Sequence, residues 1–464
     1  MRIDQRGVWC AAGTAAVLVA GLGAPALAQA DKPTMFIPHY YSLGGRVVTL
    51  ILNPDGSLTI AGSFPAGIWT TACSLSPDGQ YLAVSNASGC DDGNCNFEDF
   101  RIFRVNADST LTQVAYRQIP TSPLAVQWMG NQFVAVTITN SGAAGSSVSS
   151  YRFDRLTQQI SLVETEPVGG FNAYLEYDPA ANALYTQTTT NTLIHRWNVA
   201  PTGHLTKEGE VFTSGVYPID LMLNRAGSRL YTAGGISAGG HALGGFTVNP
   251  LGSPTILDPL AGAPFFSPGQ SPAYLTFSQN DSILFVGHGT DATVRSFLVD
   301  RPTGSLTPTG FAFDVGLQGT IGDIAVMGDK VIIIDDSTAI DGIYGVYVFQ
   351  IHPDGNFTQI GNILETGTPR PEGRMSVWMP PEAPECRADL TTGAVPGQPG
   401  FGIPNGILNN DDFFYYLFAF GAGNLGVADL TTGAVPGQPG YGVPNGVLNS
   451  DDFFYYLTLY AAGC

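Results

Sequence analysis

A pattern of paired hairpins recurs about every fifty residues between Gly45 and Trp378. Each unit has an inner hairpin of apolar strands, such as TACSLSPDGQYLAVSN at Thr71–Asn86, and an outer hairpin, such as FRIFRVNADSTLTQVA at Phe100–Ala115. Strands rich in Val, Ile, Leu, Tyr and Phe between polar turns are typical of β-hairpins. Four strands per unit at this period predict the blades of an all-β propeller. The turns of the outer hairpins fall near Asp55, Asp108, Leu156, Thr202, Gly252, Thr303 and Asp354.

Seven outer hairpins accompany only six complete inner ones, so one blade lacks an inner strand. The segment RMSVW at Arg374–Trp378 can supply that strand by pairing with the N-terminal hairpin. The pairing would close the ring and remove two exposed strand edges, which otherwise favour aggregation. We therefore predict a seven-bladed β-propeller closed by N- and C-terminal strands, with six or eight blades as alternatives. A β-sandwich would not produce so regular a period.

The repeat resembles a known family. The segments SLSPDGQYLAVSN, SRLYTAG and RSFLVDRPTGSLTPTG are similar to those of lactonase-type seven-bladed propellers, the fold of 6-phosphogluconolactonase. The family's catalytic region carries Pro-His-x-His and Pro-Arg-His segments, and neither occurs in this chain, whose six histidines are scattered singly. The resemblance therefore implies the fold and leaves open whether the protein is an enzyme.

The first thirty residues have the features of a signal peptide. Arg2 and Arg6 precede an apolar run from Val8 to about Leu22, and Ala26-Leu27-Ala28 and Ala28-Gln29-Ala30 offer two cleavage sites. No later apolar stretch is long enough to span a membrane. We expect a secreted or cell-surface protein made of a signal peptide (1–30), a propeller (31–383) and a C-terminal module (384–464).

Charge and cysteine content narrow the partners and the compartment. The formal net charge is −19, and removing two arginines and one aspartate with the signal peptide gives −20. Such an acidic surface repels phosphate backbones, so nucleic-acid binding is not expected. In an oxidising compartment, Cys90–Cys95 and Cys386–Cys464 are the expected disulfides, with Cys73 a buried free thiol. A zinc site at Cys90 and Cys95 and an attachment role for the terminal Gly-Cys are the alternatives.

The C-terminal module is a duplication. Ala388–Leu417 recurs forty residues later as Ala428–Leu457, with 26 of 30 positions identical. In each copy, Asn-Gly-Ile/Val-Leu-Asn-x-Asp-Asp followed by FFYYL resembles the calcium loop and helix of a dockerin. The resemblance implies a cohesin-like or cell-surface partner and calcium as a ligand. Its implied calcium ligands are Asp389, Asn405, Asn409 and Asp412, then Asp429, Asn445, Asn449 and Asp452.

The calcium site has an alternative, because an insert rich in Pro and Gly, GAVPGQPGFGIP at Gly393–Pro404, separates Asp389 from the other ligands. In that alternative the loop holds no metal, and the Asp pairs cap the helices that follow, where the helix dipole favours negative charge. The aromatic FFYYL stretch is expected to form the helix core.

A small charged cluster stands out in a chain with only 12% charged residues. Arg370, Glu372 and Arg374 immediately precede the predicted closing strand, where side chains approach the central channel. Tyr174, Asp220 and Tyr274 take equivalent positions in other blades. These six residues could line a polar ligand-binding pocket, or the charged trio could form a solvated rim.

Two functions follow from these observations. The first is a non-catalytic binding or scaffold protein, attached to a surface or partner through its C-terminal module. The second is an extracytoplasmic, lactonase-like hydrolase with a divergent site in the central channel. They differ in the channel, because an enzyme requires converging acid, base or metal groups there.

Overall fold

The computed structural model describes residues 30–40, 44–87, 99–119, 122–139, 145–171, 174–188, 190, 192–213, 218–234, 240–316, 320–336, 344–367, 370–380, 387–398, 400–405, 407–436, 438 and 440–463. The chain divides into two compact units, residues 1–378 and 379–464. The predicted signal peptide, apart from Ala30, and the four cysteines of the predicted disulfides lie outside the described residues. Cys73 is buried and free, as predicted.

The first unit is a seven-bladed β-propeller, as the repeat predicted. Its sheets are β29-β1-β2-β3 (blade 1), β4–β7 (blade 2), β8–β11 (blade 3), β12–β15 (blade 4), β16–β20 (blade 5), β21–β24 (blade 6) and β25–β28 (blade 7). The strands are β1 (Thr34–His39), β2 (Gly45–Leu52), β3 (Leu58–Gly67), β4 (Thr70–Leu75), β5 (Tyr81–Asn86), β6 (Asp99–Val105), β7 (Leu111–Gln118), β8 (Ser122–Met129), β9 (Phe133–Thr139), β10 (Ser147–Asp154), β11 (Gln159–Pro167), β12 (Leu175–Asp178), β13 (Ala183–Thr188), β14 (Leu193–Val199), β15 (Leu205–Phe212), β16 (Pro218–Leu223), β17 (Arg229–Gly234), β18 (Ala242–Val248), β19 (Leu257–Pro259), β20 (Phe265–Phe266), β21 (Pro272–Phe277), β22 (Ile283–His288), β23 (Thr293–Val299), β24 (Leu306–Asp314), β25 (Ile321–Met327), β26 (Lys330–Asp335), β27 (Gly345–Ile351), β28 (Phe357–Glu365) and β29 (Ser376–Trp378).

Blade 1 closes the ring with strands from both ends of the unit. β29 is its innermost strand and pairs antiparallel with β1, with Thr34 opposite Trp378 and Phe36 opposite Ser376. The sequence predicted this closure through Arg374–Trp378. It did not identify β1, which inserts between β29 and β2 and makes the N-terminal contribution three strands rather than a hairpin.

Aromatic and aliphatic side chains hold neighbouring blades together. Between blades 2 and 3, Tyr81, Phe100, Trp128 and Phe153 are almost fully buried in one cluster. The rings of Tyr81 and Phe153 meet edge to face, with centroids 5.1 Å apart. Each blade therefore buries apolar side chains on both of its faces, which explains why the inner hairpins are apolar almost throughout.

The outermost strands are irregular at one recurring place. A register shift interrupts the pairing of the third and fourth strands in six blades, all except blade 5. Bulges of this kind increase the local twist and make a strand edge a poor template for pairing with another chain. Blade 5, which contains the degenerate repeat, instead divides its outer edge between the short strands β19 and β20.

The second unit contains the helices α1 (Asn410–Gly421), α2 (Leu425–Ala428) and α3 (Ser450–Ala462). α1 and α3 begin at equivalent positions of the duplication and meet through Tyr416 and Tyr456, whose rings stack with centroids 3.8 Å apart. The Tyr456 hydroxyl donates a hydrogen bond to the Ala388 carbonyl at 3.2 Å. Both tyrosines are fully buried, so part of the FFYYL stretch is helix core, as expected. No helix among the described residues is long and apolar enough to cross a bilayer.

Candidate functional site

The innermost strands of blades 5, 6 and 7 share a β-bulge near their first residue. The residue that follows the bulge is Asp220 in blade 5, Tyr274 in blade 6 and Asp323 in blade 7. Tyr174 takes the same place in blade 4, directly before the first paired residue, Leu175. A bulge redirects the side chains around it, and here the recurring position supplies side chains to the central channel.

Arg374 lies in the channel among carboxylates from three other blades. Its Nη1 is 2.5 Å from Asp220 Oδ1, and its Nη2 is 3.4 Å from Glu176 Oε2. Its guanidinium carbon lies 5.7 Å from the centroid of the Tyr174 ring. The Asp323 carboxylate also acts electrostatically on this guanidinium. We call these five residues the Arg374 layer.

The carboxylates of the Arg374 layer also connect neighbouring blades. Asp220 Oδ2 accepts the N–H of Leu275 at 2.9 Å, and Asp323 Oδ2 accepts the N–H of Met375 at 2.7 Å. Glu176 accepts a backbone N–H of blade 5 in the same way. Each acceptor therefore satisfies a donor on the innermost strand of the next blade or directly before that strand, which gives the layer a structural role. In blades 1 and 2 the corresponding acceptors are the hydroxyls of Ser376 and Ser74, which bind the N–H groups of Leu75 and Trp128.

Burial controls the titration of the Arg374 layer. It raises the pKa of Glu176 and that of Asp323 to about 7, although the positive charge of Arg374 opposes the rise. The pKa of Asp220 is raised for the same reason. Burial acts to lower the pKa of the Arg374 guanidinium, but the surrounding carboxylates outweigh burial, and the pKa is raised. The layer therefore has one permanent cation and two carboxylates that titrate near neutral pH.

A second charged group lies at the mouth of the channel. Arg370 Nη2 is 2.5 Å from Glu372 Oε2, and its Nη1 is 3.9 Å from Asp336 Oδ2. The Arg370 guanidinium carbon lies 5.9 Å from the centroid of the Tyr40 ring, and that ring in turn contacts Trp69 at a centroid distance of 5.4 Å. Burial raises the pKa of Glu372, against the opposing effect of Arg370.

An open cavity of about 310 Å³, which we call the mouth cavity, occupies this end of the channel. Glu372 is the only charged residue in its lining, as far as the chain is described. Burial raises the pKa of Tyr174 and of Tyr274, so both phenols are neutral hydrogen-bond donors at any physiological pH. A second cavity of about 240 Å³ lies further along the same strands, and Asp323 and Arg374 contribute to it. The lining of the mouth cavity is Tyr40, Thr71, Leu124, Phe171, Tyr174, Ile219, Tyr274, Glu372 and Gly373.

The six channel residues predicted from the sequence lie in two places. Tyr174, Tyr274 and Glu372 line the mouth cavity, with Arg370 paired to Glu372, whereas Arg374 and Asp220 form an ion pair deeper in the channel. The predicted grouping is therefore divided, with Tyr174 contacting both parts. Their role as a ligand site stays a prediction.

Sequence reasoning missed Glu176, Asp323, Asp336 and Tyr40. Two of them carried a signal. Asp323 in IGDIAV holds the place that Asp220 holds in PIDLML, and Glu176 follows Tyr174 by two residues, the spacing of one face of a strand. Asp336 and Tyr40 follow strands at places with no recurring pattern, so only the folded ring brings them to the mouth.

In the C-terminal module, all eight predicted calcium ligands accept backbone N–H groups through their side-chain oxygens. Asp412 Oδ1 accepts from Leu390 at 2.7 Å and Thr391 at 2.8 Å, and its Oδ2 accepts from Asn409 at 2.8 Å. The insert does not carry Asp389 away, since its carboxylate accepts the N–H of Asn405 at 3.1 Å. Among the described residues, no group of three His, Cys, Asp or Glu side chains could hold a metal ion. Half of the predicted calcium ligands are asparagines, which are not among these four residue types, so calcium binding stays a prediction. The other six acceptors are Asn405, Asn409, Asp429, Asn445, Asn449 and Asp452.

The chain is similar to known proteins within the propeller. The family model described as Lactonase, 7-bladed beta-propeller, matches residues 132–239. A putative 6-phosphogluconolactonase of Bacteroides fragilis superposes with a TM-score of 0.61 at 14% identity, over 75% of this chain and 98% of that one. The periplasmic gluconolactonase of Pseudomonas aeruginosa superposes with a TM-score of 0.61 at 17% identity, over 75% and 99%. No curated protein matches the chain in sequence. At these identities the likeness shows the fold alone, which is that of lactonase-like propellers.

Proposed function

We propose that the propeller binds a small, uncharged ring compound with several hydroxyl groups, of the sugar or sugar-lactone class, in the mouth cavity. The lining of that cavity carries the proposal. Tyr40, Tyr174, Tyr274 and Phe171 offer aromatic faces against which the C–H face of a sugar ring can pack, and the phenols and Glu372 can bond its hydroxyls. The lactonase-like fold supports the lactone as one such ligand.

The charge of the mouth argues against a phosphorylated ligand. Arg370 is paired with Glu372 of the cavity lining at 2.5 Å, and Asp336 lies 3.9 Å from the same guanidinium. A phosphate would meet a guanidinium that is already neutralised, together with an excess negative charge. We therefore expect the ligand to lack a phosphate.

Calorimetric titration of the full chain tests this proposal. We expect D-glucono-1,5-lactone or D-glucose to bind, and D-glucose 6-phosphate to bind at least about fivefold more weakly because of the acidic mouth. Tyr274→Ala should weaken binding about tenfold, the effect of losing one aromatic contact and one hydrogen bond.

The matched control is Tyr116→Ala, since Tyr116 is 64% exposed on an outer strand. It should bind like the unmodified chain. Absence of binding by all three sugars, or tighter binding of the phosphate, would disprove the proposal.

Lactone hydrolysis is the second candidate, and the raised pKa of Glu372 favours it, because a partly buried carboxylate of this kind is a better base. In this mechanism Glu372 takes a proton from water as the water oxygen attacks the lactone carbonyl carbon. A tyrosine hydroxyl donates a hydrogen bond to the oxygen that becomes negative. The C–O bond of the ring then breaks, and the leaving oxygen receives the proton from Glu372 to give a hydroxy acid.

Acid release from D-glucono-1,5-lactone, followed in a pH-stat and corrected for spontaneous opening, separates hydrolysis from binding. Glu372→Gln should retain ligand binding but lose at least about a hundredfold in rate. Glu365→Gln, on the exposed part of β28, should leave the rate unchanged. Equal rates with and without the protein would exclude hydrolysis of this substrate and leave the binding proposal intact.

We also propose that the chain is exported and that its C-terminal module attaches the propeller to a cell surface or to a cohesin-like partner. The basic and apolar N-terminus supports export. Apolar residues exposed at equivalent positions of the two copies, such as Phe414 with Phe454 and Ile407 with Val447, support a contact surface. N-terminal sequencing of the protein expressed in a bacterium should give a start after Ala28 or Ala30, and an intact Met1 would contradict export by this route.

Calcium in the repeat loops is the ligand that the dockerin resemblance implies. The hydrogen bonds of Asp412 and Asp452 support the metal-free alternative, because an ion would have to displace backbone N–H groups from both carboxylates.

A further inference from the structure

A groove between blades 5 and 6 contains a cavity of about 290 Å³ on the propeller. It is formed by the turn between β16 and β17, the turn between β21 and β22, and the end of β23. These turns join the far ends of the strands, so the groove is separate from the mouth cavity, which lies at the start of the innermost strands. The lining is Asn224, Ala226, Ser228, Arg229, Tyr231, Phe277, Asn280, Asp281, Val299 and Arg301.

The groove between blades 2 and 3 shows how the same architecture is closed elsewhere. There Arg155, from the turn after β10, reaches the first turn of the preceding blade and binds the Asp78 carboxylate with both Nη1 and Nη2, at 2.5 and 3.2 Å. Its Nε also donates to the Asn131 carbonyl at 2.8 Å. The guanidinium and carboxylate together bridge the two turns.

Arg301 in blade 6 corresponds to Arg155 in blade 3, because each arginine follows an aspartate at the end of the third strand. Asp154 is the last residue of β10, and Asp300 directly follows β23. The first turns of blades 2 and 5 also match. Gly79 donates its N–H to the Ser76 carbonyl at 2.8 Å, as Gly227 does to Asn224. By this alignment Ala226 stands where blade 2 has Asp78. The arginine is retained, and its carboxylate partner is replaced by a methyl group.

The charges of the groove are unusual for this chain. Within the described part of the protein, Arg301 forms no ion pair with a carboxylate. Its guanidinium donates to the Asn280 carbonyl, and the Asp281 carboxylate interacts with it only through longer-range electrostatics. The lining has two guanidinium groups, those of Arg229 and Arg301, against the single carboxylate of Asp281. The groove therefore has a net charge of +1, in a chain with 38 acidic and 19 basic residues.

We propose that this groove binds the carboxylate of a small organic acid, which takes the place that the Asp78 side chain has between blades 2 and 3. Arg301 would bind the carboxylate oxygens with the two-pronged geometry seen at Arg155, since guanidinium and carboxylate groups match in this way. The apolar body of the acid would lie against Tyr231, Phe277 and Val299, and the cavity is large enough to hold more than a carboxylate alone.

Calorimetric titration of the full chain with sodium benzoate tests this site, with sodium chloride at equal ionic strength as the reference. We expect one benzoate to bind, and Arg301→Gln to weaken binding at least tenfold. Ala226→Asp should weaken benzoate binding to a similar extent while retaining Arg301, because the new aspartate would itself occupy the carboxylate position beside Arg301. Arg155→Gln is the matched control and should leave benzoate binding unchanged, since that arginine already has its partner.

Three results would overturn the proposal. These are no benzoate binding beyond the chloride reference, unchanged binding in both Arg301→Gln and Ala226→Asp, or an equal loss in Arg155→Gln. A peptide with a single glutamate provides the second arm. If the peptide binds and benzoate does not, and Ala226→Asp abolishes binding of the peptide, the ligand of the groove is an acidic side chain of a partner protein and not a small acid.

Discussion

Glu176 and Asp323 have pKa values of about 7 in the folded protein, compared with ordinary values of 4.5 and 3.8. Between those values the unfolded chain has released the two protons and the folded chain still holds them. Stability therefore falls as the pH rises from about 4 to about 7, and this contribution is constant at higher pH. The direction is opposite to that of a carboxylate whose pKa is lowered by an ion pair.

At the residue scale, Glu176→Gln should remove part of this pH dependence. Between pH 4 and pH 8, the free energy of unfolding of the unmodified chain should fall by about 3 kcal/mol more than that of the variant, because of the raised pKa of Glu176 alone. Urea unfolding at several pH values measures the difference. The control Glu365→Gln, at an exposed position, should show the same pH dependence of unfolding as the unmodified chain. If Glu176→Gln shows that same pH dependence, the raised pKa of Glu176 is refuted.

The helices of the C-terminal module show how a repeated sequence forms a repeated element. Asn409 and Asp412 form a capping box at the start of α1, and Asn449 and Asp452 form the same box at α3. In each copy the aspartate of the box also holds the segment before the insert through two further N–H groups. One carboxylate therefore joins a helix start to a loop some twenty residues earlier.

At the element scale, Asp412→Ala should destabilise the module by about 2 kcal/mol, since it removes a cap and leaves loop N–H groups unpaired. Thermal unfolding of the full chain, followed by scanning calorimetry, measures this change. Asp411→Ala is the matched control, because that neighbouring carboxylate is not part of the capping box, and it should have a smaller effect. Adding a chelator to the unmodified chain should leave the transition in place if the caps alone hold the loops, whereas a lower transition would favour bound calcium.

Helices α1 and α3 were predictable because Asp-Asp followed by five large aromatic and aliphatic residues is a helix start with a core face. The hydrogen bonds of Asp412 to Leu390 and Thr391 were not, since nothing local shows that a twelve-residue insert will loop out. The same limit applied in the propeller. The fifty-residue period predicted the blades, but β1 belongs to no repeated hairpin and was missed.

On the scale of the whole molecule, the ring depends on its last strand. Trp378 packs on Gly79 so closely that a Cβ at the glycine would lie 2.7 Å from the indole ring. Its Nε1 donates to the Ala30 carbonyl at 2.8 Å. This side chain therefore joins the last strand of the propeller to blade 2 and to the residue directly before Asp31, where the predicted propeller domain begins.

Trp378→Ala should lower the free energy of unfolding of the propeller by about 2 to 3 kcal/mol, less than for a fully buried tryptophan because the residue is half-buried. Urea unfolding monitored by far-ultraviolet circular dichroism measures the loss. Met379→Ala, one residue further along and 41% exposed, should have little effect. Equal stability of the two variants would show that the tryptophan does not anchor the closing strand.

The channel site was only partly predictable at this scale. Equivalent positions in the repeat indicated Tyr174, Asp220 and Tyr274, because periodicity maps residues onto the same place in successive blades. Arg370 lies at the mouth of the channel, whereas Arg374 lies deeper, within the Arg374 layer. This separation depends on how far each side chain extends into the closed ring. A linear pattern does not contain that information.

Closure by β29 has a consequence for the order in which the protein can be made. A ribosome synthesises Thr34 about 340 residues before Ser376. The first three strands of blade 1 must therefore wait, without their fourth partner, until nearly the entire propeller has emerged. The ring of a nascent chain of this design therefore cannot close until its last strand has been synthesised.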